Sequence, residues 1–228
     1  MKQLRLRTAA VTGMLASAAL TVPLAAAPAS AAGHATVNVV HGIPKVPVKV
    51  CVDGAKVADG FRYGDTIAGA RLSAGKHRVK LVAARKPCAS PAILKSTYML
   101  HAGRNYTVVA NLNAHGKPNL AAFRNNVRPT ARHQARLTVR HTAQAPAVNV
   151  WAGSTKLIDG KDFTWGGSET LAVPRGTYRV KVTLPGSRKP VIGPQRTTLR
   201  QGRAYQVYAV GSPQHYRLVA VSVRVGTR

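Results

Sequence analysis

The stretch Gly75-Lys-His-Arg-Val-Lys-Leu-Val82 occurs twice in this chain, and that repetition limits the possible folds more than any other feature. Its partner, Gly176-Thr-Tyr-Arg-Val-Lys-Val-Thr183, lies 101 positions later (176 − 75). In both copies apolar or aromatic residues alternate with cations. His77, Val79 and Leu81 oppose Arg78 and Lys80; Tyr178, Val180 and Val182 oppose Arg179 and Lys181. Alternation of period two is the signature of a strand with one buried and one solvated face. The preceding glycine is a turn residue. Further matches at a spacing of 100 include His41/His141, Val48/Val148, Lys56/Lys156 and Asp59/Asp159; Gly103/Gly202 and Tyr106/Tyr205 match at 99. A period of this length is the size of one ordinary domain, not of a solenoid unit. It predicts two tandem homologous domains.

The domains do not begin at Met1. Lys2, Arg5 and Arg7 precede an apolar run over roughly Ala9–Ala27, and Ala29-Ser30-Ala31 reads as a cleavage site. This is the pattern of a secretory signal peptide over residues 1–31. No later stretch reaches the ~18 apolar residues that span a bilayer. The remainder is expected to be secreted, or associated non-covalently with the cell surface. It carries 31 Lys+Arg (34 − 3) against six acids, a net charge of +25. That imbalance favours polyanionic partners and costs stability in their absence.

Cys51 and Cys88 are the only cysteines, and an even pair in an exported chain predicts one disulfide. Cys51 is out of phase with Val48, Val50 and Val52, so a bridge is expected to pin the Arg85–Pro91 loop across the outer strand face. Trp151 takes the Cys51 position in the second copy.

Short alternating runs, separated by turn signals such as Asp53-Gly54 and Asp59-Gly60, give about seven strands in the first domain and eight in the second, and no long helical period. The reading is all-β: two tandem Ig-like β-sandwich domains, over residues 32–127 and 136–228, joined by a short polar linker at 128–135. Pro185-Gly186 and Gly193-Pro194 are expected to bound the second domain's counterpart of the Arg85–Pro91 loop.

The pattern V-x-V-x-x-D-G over Val48–Gly54, the turn-strands at Gly75–Val79 and Gly176–Val180, and the hairpins at Gly103–Tyr106 and Gly202–Tyr205 together resemble the secreted bacterial domain of unknown function 4397. The run Tyr208-Ala-Val-Gly-Ser-Pro213 is similar to it as well. The resemblance covers nearly all of the chain after residue 31. It implies an exported, Ig-like β-rich module, often in tandem, and brings no catalytic residues.

Six scattered acids leave little material for acid–base chemistry, and no calcium site is expected from them. Asp53, Asp59 and Asp159 read as turn formers. His41 and His141 read as half-buried rings closing a strand end, since no further ligand lies at metal spacing from either. No G-x-S-x-G elbow is present. No enzyme, metal or cofactor is therefore expected. The sequon Asn105-Tyr-Thr107 falls within a predicted strand and reads as incidental.

The basic surface remains. Arg78, Lys80, Arg179 and Lys181 occupy outward strand positions and are the candidate polyanion-binding residues; Lys76, Arg71, Lys49, Arg175 and Arg203 are candidate extensions. Aromatic platforms are sparse, so sequence-specific nucleic-acid recognition is not expected. The expected partner is an anionic wall polymer or similar polyanion, held by charge. A cell-surface adaptor that binds protein is the alternative, and an envelope hydrolase a more distant one. Exposure of both Trp151 and Trp165 beside a groove would point to carbohydrate.

Overall fold

The computed structural model describes residues 33–228; the leader expected over residues 1–31 lies outside them. The described chain is strands and turns. β1 (His34–His41), β2 (Val48–Val52), β3 (Ala55–Phe61), β4 (Thr66–Ser73), β5 (Gly75–Ala83), β6 (Leu94–Leu100), β7 (Asn105–Leu112) and β8 (Pro118–Arg124) form the first sandwich. β9 (Gln134–His141), β10 (Asn149–Ala152), β11 (Thr155–Ile158), β12 (Ser168–Pro174), β13 (Gly176–Thr183), β14 (Pro190–Leu199), β15 (Arg203–Val210) and β16 (Arg217–Arg224) form the second. Each sandwich has eight strands, one more than expected of the first and the number expected of the second.

The sheet orders repeat. β4-β1-β7-β8 corresponds to β12-β9-β15-β16, and β3-β2-β5-β6 to β11-β10-β13-β14. The contacts β1–β7 and β9–β15 are parallel; all other pairs are antiparallel. Alternation places Val50, Leu81, Val39 and Ala110 inside the first sandwich, and Val150, Val182, Val139 and Val207 inside the second.

The two sandwiches dock back to back. β7 is buried at every residue, because the sheet containing it is covered on both faces. Its inward residues Tyr106 and Val108 meet the first core. Its outward Val109, with Val40 and Phe123, packs against Tyr208, Val210, Val219 and Val221 of the second sandwich. The four sheets therefore stack in a fixed order, with β3-β2-β5-β6 and β11-β10-β13-β14 as the two outermost layers. Gly42 sits in the seam. A Cβ there would lie 2.7 Å from Val210 Cγ1 and 2.9 Å from Ala110 O, so only glycine admits this approach.

Polar groups fix the seam's register. The Arg140 guanidinium, 6% exposed, donates to Gln206 Oε1 at 2.7 Å and lies 4.8 Å from the Phe123 ring centre. Trp165 Nε1 donates to Leu112 O at 3.0 Å. Tyr63 OH donates to His215 O, and Arg217 stacks over the Tyr63 ring at 5.3 Å. The stretch read as a linker is held too: Thr130 N donates to Gly226 O at 3.1 Å, and β9 already begins at Gln134.

Two turn signals lie inside strands. Asp59-Gly60 is a bulge within β3, where the register against β2 shifts between Val48 and Val50. Gly193-Pro194 does not bound a loop but lies within β14. Gly193, at φ 82°, is where the register against β13 shifts.

Candidate functional site

The outer face of each outermost sheet is built from the alternation on β5 and β13. In β5, His77, Val79 and Leu81 are buried, while Lys76 and Arg78 are exposed and Lys80 half-buried. Antiparallel partners directly opposite share a face, and that rule identifies the neighbours of each cation. Lys80 lies opposite Lys95 on β6 and opposite Cys51 on β2, and Cys51 lies opposite Lys56 on β3. A single row across the sheet thus reads Lys56, Cys51, Lys80, Lys95. In the second sandwich the row reads Lys156, Trp151, Lys181, and beside it Arg179 lies opposite Arg196.

Like charges directly opposite one another destabilise a sheet. Lys80 against Lys95 and Arg179 against Arg196 are two such pairs, at related places in the two sandwiches. Among the described residues, carboxylates pair only with Lys49, Lys156 and His77. Arg78, Lys80, Lys95, Arg179, Lys181 and Arg196 have no acidic partner.

The four predicted cations fall into two groups. Arg78 and Lys80 share one outer sheet, and Arg179 and Lys181 share the other. The layer order turns these faces away from each other, so they form two separate surfaces. Lys80 also anchors the loop above it, since its Nζ donates to Cys88 O at 2.8 Å. Cys51 and Cys88 are bridged, with Cα atoms 5.9 Å apart, and the bridged loop lies over the outer face at this point. Of the candidate extensions, Lys76 belongs to the first face. Lys49 is paired with Asp59 at 3.1 Å. Arg71 and Arg203 stand on β4 and β15, in the docked sheets, and Arg175 precedes β13. Lys95 and Arg196, absent from the sequence reading, complete the faces.

Trp151 occupies the Cys51 place without a bridge. Lys156 Nζ and Lys181 Nζ lie 5.4 and 5.5 Å from its ring centre, and its Nε1 donates to Thr183 Oγ1 at 3.1 Å. Cation–π contact and hydrogen bonding here replace the covalent staple of the first sandwich. Trp165 is spent in the seam, so the two tryptophans do not share a groove.

One cluster has the outline of a catalytic relay. His77 Nδ1 lies 2.6 Å from Asp53 Oδ2, and Ser73 Oγ lies 3.5 Å from His77 Nε2. Nε2 lies closer to the Ser73 carbonyl oxygen, at 2.8 Å, than to the Ser73 hydroxyl, so the ring ties the end of β4 to the Asp53 turn. Asp53 Oδ1 meanwhile accepts from Arg78 N at 2.8 Å, tying the β2–β3 turn to β5. Burial pushes the Asp53 carboxyl up, but the bonds from Arg78 N–H and His77 outweigh it and hold its pKa below the usual range. In the second sandwich these places hold Pro174, Tyr178 and Gly153.

His41 and His141 are buried rings held to backbone carbonyls, His41 with both ring nitrogens engaged and His141 with its buried Nδ1 unpaired. His41 Nε2 donates to Val46 O at 2.7 Å, Nδ1 accepts from Ile43 N at 3.3 Å, and the ring stacks on Phe61. His141 Nε2 donates to Pro146 O at 2.9 Å. Burial pushes both imidazoles below their ordinary pKa. Among the described residues no group of three or more His, Cys, Asp or Glu is placed to hold a metal ion, and no helix is long and apolar enough to cross a membrane.

Fold and site together define a class: an all-β protein of two docked sandwiches whose outermost sheets carry unneutralised cations. The chain belongs to the family described as Domain of unknown function (DUF4397), whose model matches residues 35–151, which is 117 residues (151 − 35 + 1) of 228. The match covers the first sandwich and runs through β9 into β10. No curated protein matches the chain. Among solved structures, the Bacillus anthracis TIE protein is similar at 10% identity and a TM-score of 0.24, over 81% of this chain and 34% of that one. The chain thus spans about a third of that protein, at a level of likeness that transfers neither fold nor function.

Proposed function

We propose that this is an exported, non-catalytic binding protein that holds anionic envelope polymer on its two outer sheets. The observation that carries the reading is the pairing of like charges, Lys80 with Lys95 and Arg179 with Arg196, two outer-sheet pairs that no carboxylate neutralises. An arrangement that costs stability in the free protein is relieved when a polyanion supplies the missing charge. Arg78 and Lys181 extend the two surfaces. Binding is led by charge and reads no sequence, because the one aromatic ring on these faces is already covered by two ammonium groups. The disulfide is compatible with residence outside the cytoplasm.

Because the faces point apart, one molecule engages two polymer segments and bridges them. The test is turbidity of anionic wall polymer titrated with the protein. Bridging predicts a maximum at intermediate stoichiometry. Reversing one face with Arg78→Glu and Lys95→Glu, or the other with Arg179→Glu and Arg196→Glu, should abolish the maximum while leaving one-sided binding. Absence of binding by the unmodified protein at low salt would refute the reading.

A further inference from the structure

The second sandwich contains an apolar cavity of about 190 Å³ between its two sheets. Leu137, Val150, Leu157, Val180, Val207 and Leu218 contribute its walls. The internal repeat explains why the space exists. Tyr98 on β6 lies opposite His77, and Thr197 on β14 lies opposite Tyr178. His77 and Tyr178 are repeat equivalents, so Thr197 is the counterpart of Tyr98. In the first sandwich Tyr98 reaches across between the sheets and its hydroxyl donates to Leu120 O of β8 at 3.0 Å. Its ring packs into the first core with Val52, Val79 and Val108. In the second sandwich a threonine replaces that ring, and Ala152 replaces Val52. A phenol ring and two methyl groups are missing from these two places, and Tyr178, larger than its counterpart His77, lines the space without filling it.

β14 and β16, edge strands of their sheets, both line the cavity. Gln195 and Arg196, both exposed, stand at the β14 rim with Thr197. None of the six acids lines it. An apolar void near ~150 Å³ is large enough to take a benzene ring. This one is larger, partly open to solvent, and lined by a cation and by two hydrogen-bonding side chains, Gln195 and Thr197.

We propose that the second sandwich binds a small anionic amphiphile, inserting an apolar chain or ring where the first sandwich inserts Tyr98 and leaving the anionic head at Arg196. The site shares Arg196 with the outer face, whereas Thr197→Tyr fills the cavity without changing any charge there.

The experiment is calorimetric titration of residues 33–228 with octanoate and, as a neutral counterpart, octanol. Both should bind. Thr197→Tyr, which restores the first sandwich's own plug, should weaken both by about tenfold or more. Arg196→Gln should weaken octanoate by about two- to fivefold and leave octanol unchanged, as fits an exposed ion pair. Ala152→Val, the residue of the first sandwich, narrows the cavity from the opposite wall and should also weaken both ligands, so the outcome does not rest on one variant folding. Polymer binding should be the same in Thr197→Tyr and the unmodified protein. Absence of octanoate and octanol binding, or binding indifferent to both Thr197→Tyr and Ala152→Val, would overturn the proposal and leave the space as a packing void.

Discussion

His41 and His141 make the clearest case at the scale of the residue. Each closes the end of its sandwich's first strand by donating Nε2–H to a carbonyl five residues on. Their folded-state pKa lies below the ordinary value near 6.5 because burial disfavours the imidazolium. In the unfolded chain both rings bind protons as pH falls below about 6.5, and in the folded protein they resist. Their contribution to stability is therefore complete above that pH and is lost as pH falls toward their folded pKa. The urea midpoint should drop between about pH 7.5 and pH 5, and a His41→Gln/His141→Gln variant should show a flatter profile over that range. The sequence revealed that these residues repeat and close a strand; it held no sign that Phe61 would stack on one ring and Phe163 pack tilted against the other. The cysteines were legible as a pair from their even number in a chain expected to be exported, and phase put Cys51 on the outer face. Reduction of the bridge should cost about 3–4 kcal/mol in the chain-entropy account, visible as a lower melting temperature.

Among elements, β5 and β13 were legible from alternation, and their neighbours were not. A register cannot be read from one strand, because a slip of one residue exchanges its two faces. Lys95 and Arg196 were therefore missed, although their opposition to Lys80 and Arg179 defines the two faces. Bulges hid further detail: Asp59-Gly60 and Gly193-Pro194 look like strand ends in sequence and are register shifts inside β3 and β14. The opposed cations yield a test in which stability and binding move oppositely. Lys95→Glu and Arg196→Glu convert repelling cross-strand pairs into attracting ones and should each stabilise by about 0.2–1 kcal/mol, read by chemical denaturation. The same variants should weaken polyanion binding. A loss of stability in both would remove the premise that these cations are kept at a cost.

For the molecule as a whole, the governing fact is that the docked sheets are covered on both sides. The near-continuous apolar run in β7, with Tyr106, Val108, Val109 and Ala110 side by side, carried that signal. Two β-sandwiches were readable without it; the docking of Val40 and Val109 on Tyr208 and Val210 was not, because alternation alone assigns those side chains to solvent. The seam should make unfolding a single calorimetric transition, with equal calorimetric and van't Hoff enthalpies. Gly42→Ala, which forces a Cβ into Val210 and the Ala110 carbonyl, should lower stability by about 1–3 kcal/mol and pull the sandwiches toward separate transitions. The layer order also sets the two cationic faces at opposite ends of the stack, and they are the centre of the functional account. Its most direct test is the affinity of residues 33–228 for anionic wall polymer across a salt series. With several phosphates engaged, affinity should fall by about 10³-fold or more between about 50 and 200 mM salt, and combined reversal of Arg78, Lys80, Arg179 and Lys181 should flatten that slope. Binding that ignores salt, or that survives the reversal with its slope intact, would contradict the assignment of function to these faces.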